Sequence, residues 1–556
     1  MKKAKQRSGA ELLIDCLRTQ GVKYIFGIPG AAIMPILEVL RSEHAVSSTP
    51  QFILCRHEQN AAFMAQCWGR LTGTPGVCLV TAGPGATNAL SGIATATADR
   101  DPVLVITGET STAEHFKKTH QTILTAELYG PVTKWSADVI HTHSIPEAVS
   151  TAFHIALSPH QGAVHLALPI NVQTALTSAV PIAHHGTEPQ SMASAEEVLQ
   201  ATDLLRKARF PVVLLGLGAR TPDNAIAVRH FLERHQMIVV GTFEAAGVVS
   251  RDLAHLFCGR VGLKAREPGD IALEKADLVV TIGYDIVEYT PALWGCTPGK
   301  NVIHIDDIPA DTDQEYQPVV ELVGHIAENL GRLSVSRHSL SVPTAVKKAQ
   351  ALLRSEQERG KHRSTSPVHP LRFIYEARRV LPDNTIVISD VGAHQMWLAK
   401  YFFSYEPLTL LFSMGFQTMG VGLPWAIAAS LARPGVPILS ISGDGSFLMS
   451  ATELETAVRL KAPIVHVVWR DGSYNLVKIQ QLEAYGKGFA VEFGNPDIVA
   501  FAKSFGARAY RITKPSQIAP TLKKALRERK PTIIDMPVDY RDNLSLLRPK
   551  ELLRIT

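Results

Sequence analysis

Cysteine is sparse in this chain. Six thiols, Cys16, Cys55, Cys67, Cys78, Cys258 and Cys296, are spread over 556 residues with no Cys-x-x-Cys pair. A disulfide scaffold would be denser and a structural zinc site would pair its thiols closely, so the cysteines are expected to pack as small hydrophobes in a reducing compartment. Charge of one sign is lacking too. Fifty-six Lys and Arg face fifty-one Asp and Glu, a net +5, with no basic block after the first residues. That argues against nucleic-acid binding driven by raw charge. No apolar run approaches the roughly 18 residues of a membrane span. The basic start, MKKAKQR, is followed by no signal-peptide core, because Glu11, Asp15 and Arg18 interrupt it. A cytoplasmic protein with neither membrane nor nucleic-acid partner is expected. Ser8 with Glu11 reads instead as a capping box that opens a helix.

What is abundant is apolar residue, 46% against 19% charged, enough to exclude a disordered chain. At about 150 residues per domain the length suggests three or four domains. Short apolar runs ending in Gly or Pro alternate with helical stretches. VKYIFGIPG, VCLVTAGPG, PVLVITGE and AVHLALP precede residue 170; PVVLLGLG, MIVVGT, DLVVTIG and VIHID lie in the middle; TIVISDVG, PILSISGDG, PIVHVVW and PTIIDMP fill the last third. Runs of this kind suit parallel sheets buried on both faces, joined by right-handed crossovers. The expected class is α/β, with three doubly wound parallel-sheet domains. Polar, Pro-containing stretches at 177–194 and from about 336 to 370 read as linkers. The expected blocks are 1–178, 195–335 and 369–545, with a linker over 336–368.

The strongest chemical signal is PILSISGDGSFLMSATELETAVRL, a buried strand, a Gly443-Asp444-Gly445 turn and a helix. Open α/β sheets bind ligands at the carboxyl ends of their strands, and a helix N-terminus favours phosphate. Asp444 sits where it can bind a hard cation. Twenty-seven residues later PIVHVVW ends at Arg470-Asp471-Gly472-Ser473. One helix and one strand consume that spacing, so Asp471 should land beside Asp444 and make an oxygen site for Mg²⁺.

A GDG turn followed by an Asn- or Asp-bearing strand end resembles the thiamine-diphosphate enzymes. FGIPGA (26–31), RHEQNAAFMA (56–65), TAGPGATNAL (81–90), DVGAHQMW (390–397), QTMGVGLPWAI (417–427) and ELETAVRL (453–460) resemble acetolactate synthases. GRVGL (259–263), EYTPALW (288–294), VELVG (320–324) and PVDYRDN (537–543) are similar to their catabolic, acetoin-pathway branch. This resemblance implies thiamine diphosphate and Mg²⁺ as cofactors. It also implies an activity: one pyruvate is decarboxylated through the cofactor's ylid and its two-carbon fragment is joined to a second pyruvate, giving 2-acetolactate.

It further implies roles. Glu58 would activate the aminopyrimidine. Met419 would wedge under the cofactor, and Gln417 would meet the pyrimidine through its backbone and substrate through its side chain. Gly392, His394, Gly443, Gly445 and Ser446 would line the diphosphate. Asp444, Asp471 and the carbonyl of Ser473 would ligate the metal. Gln121 would face substrate, with His120 in place of the anabolic Phe. Gln480 replaces a large Trp of anabolic enzymes, which implies pyruvate as both donor and acceptor. The family builds its cofactor site from two chains, so a homodimer or homotetramer is expected. Two departures stand out. Ala32 occupies the place of a Lys usual in the catabolic branch, and Ala393 that of an anabolic Gln. FAD is not expected, although the Gly-x-Gly at 216–218 leaves it open. The alternatives are another thiamine-diphosphate-dependent 2-oxoacid decarboxylase or carboligase, an FAD-containing anabolic catalytic subunit, and a catalytically idle dinucleotide-binding subunit.

Overall fold

The computed structural model describes residues 6–43, 46–115, 117–183, 191–262, 266–333 and 341–547. Within these the chain forms three parallel six-stranded sheets. The first runs, edge to edge, Gln51–Leu54, Tyr24–Gly27, Gly76–Val80, Val103–Glu109, Ala163–Pro169 and Trp135–Asp138. The second runs Phe257–Arg260, Ile238–Gly241, Pro211–Leu215, Leu278–Ile282, Val302–Asp306 and Val320–Val323. The third runs Leu410–Leu411, Ile386–Ser389, Ile438–Gly443, Ile464–Arg470, Thr532–Pro537 and Arg508–Arg511. Residues of the central strands are buried along nearly their whole length, as sheets covered by helices on both faces require. The α/β expectation holds, and all twelve apolar runs are strands.

Two compact units contain these sheets. One holds the first sheet and comprises 1–188, 415–435 and 448–462; the other holds the remaining two and comprises 189–414, 436–447 and 463–556. In the first unit the helix Gly9–Thr19 opens with the expected box: Ser8 Oγ accepts from Glu11 N, and Ser8 N donates to Glu11 Oε2 at 2.6 Å. The late segments are anchored there by side chains. Arg70, ion-paired with Asp99 and Asp101, lies 4.5 Å from the centre of the Trp425 ring. Gly415 N donates to Asp99 Oδ1 at 2.7 Å.

In the second unit the helix Thr344–Arg359 falls in the stretch read as a linker, and it buries Val346, Ala349 and Leu353 in apolar clusters. Residues 184–190 and 336–340 of the expected linkers, with 334–335 before the second, lie outside the described residues. All six cysteines are free and buried. Among the described residues no helix is long and apolar enough to cross a membrane.

Candidate active site

The residues singled out in the sequence fall into two groups, one in each unit. In the second unit the strand Ile438–Gly443 pairs with Ile464–Arg470, placing Gly443 opposite Trp469. The helix Asp444–Ser450 starts directly at the strand's end. This register brings the two acidic residues together as the spacing required. Asp471 N and Gly472 N donate to Asp444 Oδ2 at 3.2 and 2.7 Å. Asn495 Nδ2 donates to the same oxygen at 2.7 Å. Asp471 Oδ2 accepts from Ser473 Oγ at 2.6 Å and from Asn475 Nδ2 at 2.7 Å. Asn475 is held in turn by Asn543, whose Oδ1 accepts from Trp397 Nε1, both at 2.6 Å. Asn495 and Asn475 were not read from the sequence.

Burial raises both carboxyl pKa values above the ordinary range, against the pull of these donors, and the charge of Asp444 raises that of Asp471 further. Two such carboxyls at a strand end fit a hard divalent cation, which would relieve their repulsion. Among the described residues no group of three or more His, Cys, Asp or Glu side chains is placed to hold a metal. The remaining ligands would therefore be backbone, phosphate or water oxygens, the kind of set the sequence suggested. Asn495 Oδ1 is buried without a partner and is a further oxygen beside Asp444.

The diphosphate candidates gather on the same edge. Gly392 has φ +152°, and a Cβ there would lie 2.8 Å from the His394 ring. A Cβ on Gly443 would lie 3.5 Å from the same ring. His394 is buried, its Nε2 has no partner, and burial pulls its pKa down to about 3. A neutral imidazole with an unused nitrogen, walled by two glycines, fits a polar ligand group at this place. Ser446 Oγ donates to Val391 O at 2.9 Å, which ties the two loops together. Gln480 is exposed on the helix Asn475–Tyr485.

In the first unit Glu58 is the first residue of the helix Glu58–Thr72, capped by His57, whose Nδ1 accepts from Gln59 N at 3.1 Å. Asn88 Nδ2 donates to Glu58 Oε2 at 3.0 Å. The turn before the helix is fixed by buried Glu453. Its Oε1 accepts from Arg56 N, His57 N and Asn60 Nδ2, at 2.7, 3.1 and 3.1 Å. Neither Asn88 nor Glu453 was singled out in the sequence.

Gln121 and Gln417 are non-glycine residues in the left-handed region, at φ 63° and 50°. Such conformations cost about 1–3 kcal/mol and gather at functional sites. Gln121 packs on Gly83, where a Cβ would be 3.0 Å from the Gln121 Cβ. Next to Gln417, Thr418 Oγ1 is hydrogen-bonded to Thr95 Oγ1 at 2.7 Å. Met419 is half-buried on the same loop, and His120 is exposed. Ala32 is buried, and its carbonyl accepts from Gln173 Nε2 at 2.7 Å.

Three family descriptions match the chain in order. They are the thiamine pyrophosphate enzyme N-terminal TPP binding domain over 7–128, the central domain over 198–333 and the C-terminal TPP binding domain over 390–536. Among curated proteins the chain is 44% identical over 546 residues to the acetolactate synthase of Bacillus subtilis (strain 168), covering 98% of this chain and 95% of the relative. It is 36% identical over 552 residues to the catabolic acetolactate synthase of Raoultella terrigena, with 98% of each covered. To the isozyme 2 large subunit of Escherichia coli (strain K12) acetolactate synthase it is 32% identical, with 98% of this chain and 97% of the relative covered. The chain therefore belongs to the acetolactate synthase family of thiamine pyrophosphate enzymes.

Proposed function

We propose that the protein is an acetolactate synthase of the catabolic kind, which decarboxylates one pyruvate and ligates its two-carbon fragment to a second, giving 2-acetolactate and CO₂ with thiamine diphosphate and Mg²⁺. The observation that carries the reading is the Asp444–Asp471 pair at adjacent strand ends, in a chain aligned end to end with acetolactate synthases. Thiamine diphosphate, when bound, supplies the nucleophilic carbon and the electron sink for decarboxylation.

The chain's own residues do the rest. Asp444 and Asp471, with the carbonyl of Ser473, would hold Mg²⁺. Backbone N–H groups of Gly445 and Ser446, with Gly392, Gly443 and His394, would receive the diphosphate. Glu58, whose Oε2 accepts from Asn88 Nδ2, would hydrogen-bond the aminopyrimidine ring and favour its activation. Met419 would pack against the cofactor. Gln121, Gln417 and Gln480 orient the two pyruvates, and Gln480 leaves open the wall that would favour a larger acceptor.

Flavin is not part of the reading. The N–H groups of the 216–218 turn are already used: Gly216 N donates to Ile282 O, Leu217 N to Glu288 Oε2 at 2.7 Å, and Gly218 N to Gly283 O at 2.8 Å. A buried carboxyl thus sits where a dinucleotide phosphate would be received. The functional blocks are 1–178, 195–335 and 369–545, joined by 336–368. The active species is a homodimer or homotetramer. The strongly exposed Tyr485 and Phe489 support a partner-covered face. The buried free thiols favour the cytoplasm.

The test is pyruvate turnover by purified protein with thiamine diphosphate and Mg²⁺ and no FAD, read as acetoin after acidification. Glu58→Gln and Asp444→Asn are run beside the wild type. Acetoin from the wild type, with at least a hundredfold loss in each variant, is expected. Acetaldehyde without acetoin would move the assignment to a decarboxylase, and turnover only on adding FAD would move it to the anabolic branch.

A further inference from the structure

Arg260 ends the edge strand Phe257–Arg260 of the second sheet and is 5% exposed. Its Nη1 donates to the carbonyls of Ala399 and Phe402, at 2.8 and 3.1 Å, and its Nη2 to Ser404 Oγ at 3.3 Å. All three acceptors are neutral. Among the described residues no carboxylate pairs with this guanidinium, and burial lowers its pKa to about 10. A buried cation without a counter-charge is costly, and chains ordinarily supply a carboxylate.

The charge borders a cavity. Arg260 and Ser404 line it together with Leu215, Ala245, Phe257 and Gly241, the residue paired with Arg260 across the strands. Tyr405 closes one side, and its surroundings are cationic. The Arg251 guanidinium lies 4.1 Å from the centre of its ring, Arg378 lies 5.9 Å from it, and Arg229 Nη2 donates to its carbonyl at 2.8 Å. Those three arginines share Asp383 and Glu406, with Asp252 near Arg251. Among the described residues, Arg260 is left as the cation facing the cavity without an acid.

We propose that this cavity is a binding site for a short aliphatic monocarboxylate, separate from the catalytic residues, with the carboxylate on Arg260 and Ser404 and the alkyl group among Leu215, Ala245 and Phe257. Guanidinium and hydroxyl together suit a carboxylate. The apolar walls disfavour a fully hydrated dianion, and a single unmatched positive charge balances one negative charge. Size is limited: a Cβ on Gly241 would have Ala245 Cβ at 3.7 Å and a Phe257 ring carbon at 3.8 Å. The backbone there tolerates a side chain, so Gly241→Val would fill the space while keeping Arg260.

Titration calorimetry on the full-length protein at constant ionic strength, with 2-methylpropanoate as probe and inorganic phosphate as comparison, tests this without reference to turnover. Saturable binding of 2-methylpropanoate is expected, weakened at least tenfold in Gly241→Val and in Arg260→Gln, with phosphate at least tenfold weaker than the carboxylate. Should Arg260→Gln fail to fold, Gly241→Val carries the test alone. Three results would overturn the proposal: no saturable carboxylate binding, unchanged affinity in Gly241→Val, which would place the probe elsewhere, or phosphate binding as tight as the carboxylate.

Discussion

Glu453 offers the sharpest test of how the helix bearing Glu58 is held. Its side chain is fully buried, and one oxygen accepts from Arg56 N, His57 N and Asn60 Nδ2 while the other accepts from Thr456 Oγ1 at 2.7 Å. Glu453→Ala removes four hydrogen bonds to an acidic acceptor. The Arg56 and His57 amides are only part-buried, so water can replace their partner, at a net loss of about 0.5–1.5 kcal/mol each. Asn60 is 2% exposed, and leaving its amide unsatisfied costs about 1–3 kcal/mol. These three donors together give about 2–6 kcal/mol, before the buried Thr456 hydroxyl and any cavity are counted. At roughly 2–4 °C per kcal/mol, the first unfolding transition should fall by at least about 4 °C.

Glu453→Gln keeps one acceptor oxygen for the three donors, and the Thr456 hydroxyl can turn to accept from the new amide. A loss of about 1 kcal/mol is expected there. Thermal melts read the stability, and a thiamine diphosphate titration of acetoin formation reads the consequence at Glu58. Alanine should weaken apparent cofactor affinity more than glutamine does. A Glu453→Ala variant melting with the wild type would refute the anchoring, and equal damage from alanine and glutamine would show that the charge, rather than the acceptor geometry, is what counts.

Gly83→Ala should disturb Gln121 directly. Gly83 sits at φ 59° and ψ −114°, and the added methyl would be 3.0 Å from the Gln121 Cβ; a roughly tenfold fall in kcat/KM for pyruvate, equivalent to about 1.4 kcal/mol, with unchanged cofactor affinity is expected, and wild-type kinetics would sink the idea. Glu288 gives a pH prediction: its carboxyl pKa is raised to about 8, chiefly by burial, so the folded state holds a proton that the unfolded state has lost. Its stabilisation is fully present below the unfolded value near 4.5 and is lost as pH rises toward 8, at about 1 kcal/mol per pH unit. Melts of Glu288→Gln at pH 5, 6.5 and 8 should lose that slope relative to wild type, and parallel curves would contradict it.

The strands that the sequence disclosed and those it hid differ in one physical respect. All twelve apolar runs became inner strands, while the strands of the three large sheets not read from the sequence are the two edges of each: Gln51–Leu54, Trp135–Asp138, Phe257–Arg260, Val320–Val323, Leu410–Leu411 and Arg508–Arg511; the short antiparallel pair Arg7–Ser8 and Leu176–Thr177 was not read either. An inner strand of a covered parallel sheet is apolar on both faces, so it reads as an unbroken run. An edge strand has a neighbour on one side only and can carry Gln, Asp, Glu or Arg along its length. Arg508–Arg511, for example, is mostly exposed or half-buried. Periodicity therefore reports the centre of each sheet and is silent about its margin.

The same distinction governs the candidate site. Asp444 and Asp471 were legible because one crossover and one strand separate them, although the crossover is two short helices, Asp444–Ser450 and Leu454–Arg459, rather than the single helix expected; parallel register converts that separation into adjacency. Asn495 reaches Asp444 from 51 residues away, and Glu453 reaches Arg56 across 397; no single repeat unit fixes those distances, so spacing cannot carry them. Glu453 lay in plain view within ELETAVRL and still had no visible task, because its task is set by the backbone of a distant turn. Gln121 and Gln417 show the converse. Their residue type alone says little, and it is the left-handed backbone at both that marks them. The surrounding packing must hold each there against about 1–3 kcal/mol of local preference, so the conformations are properties of the folded first unit that neither side chain could disclose on its own.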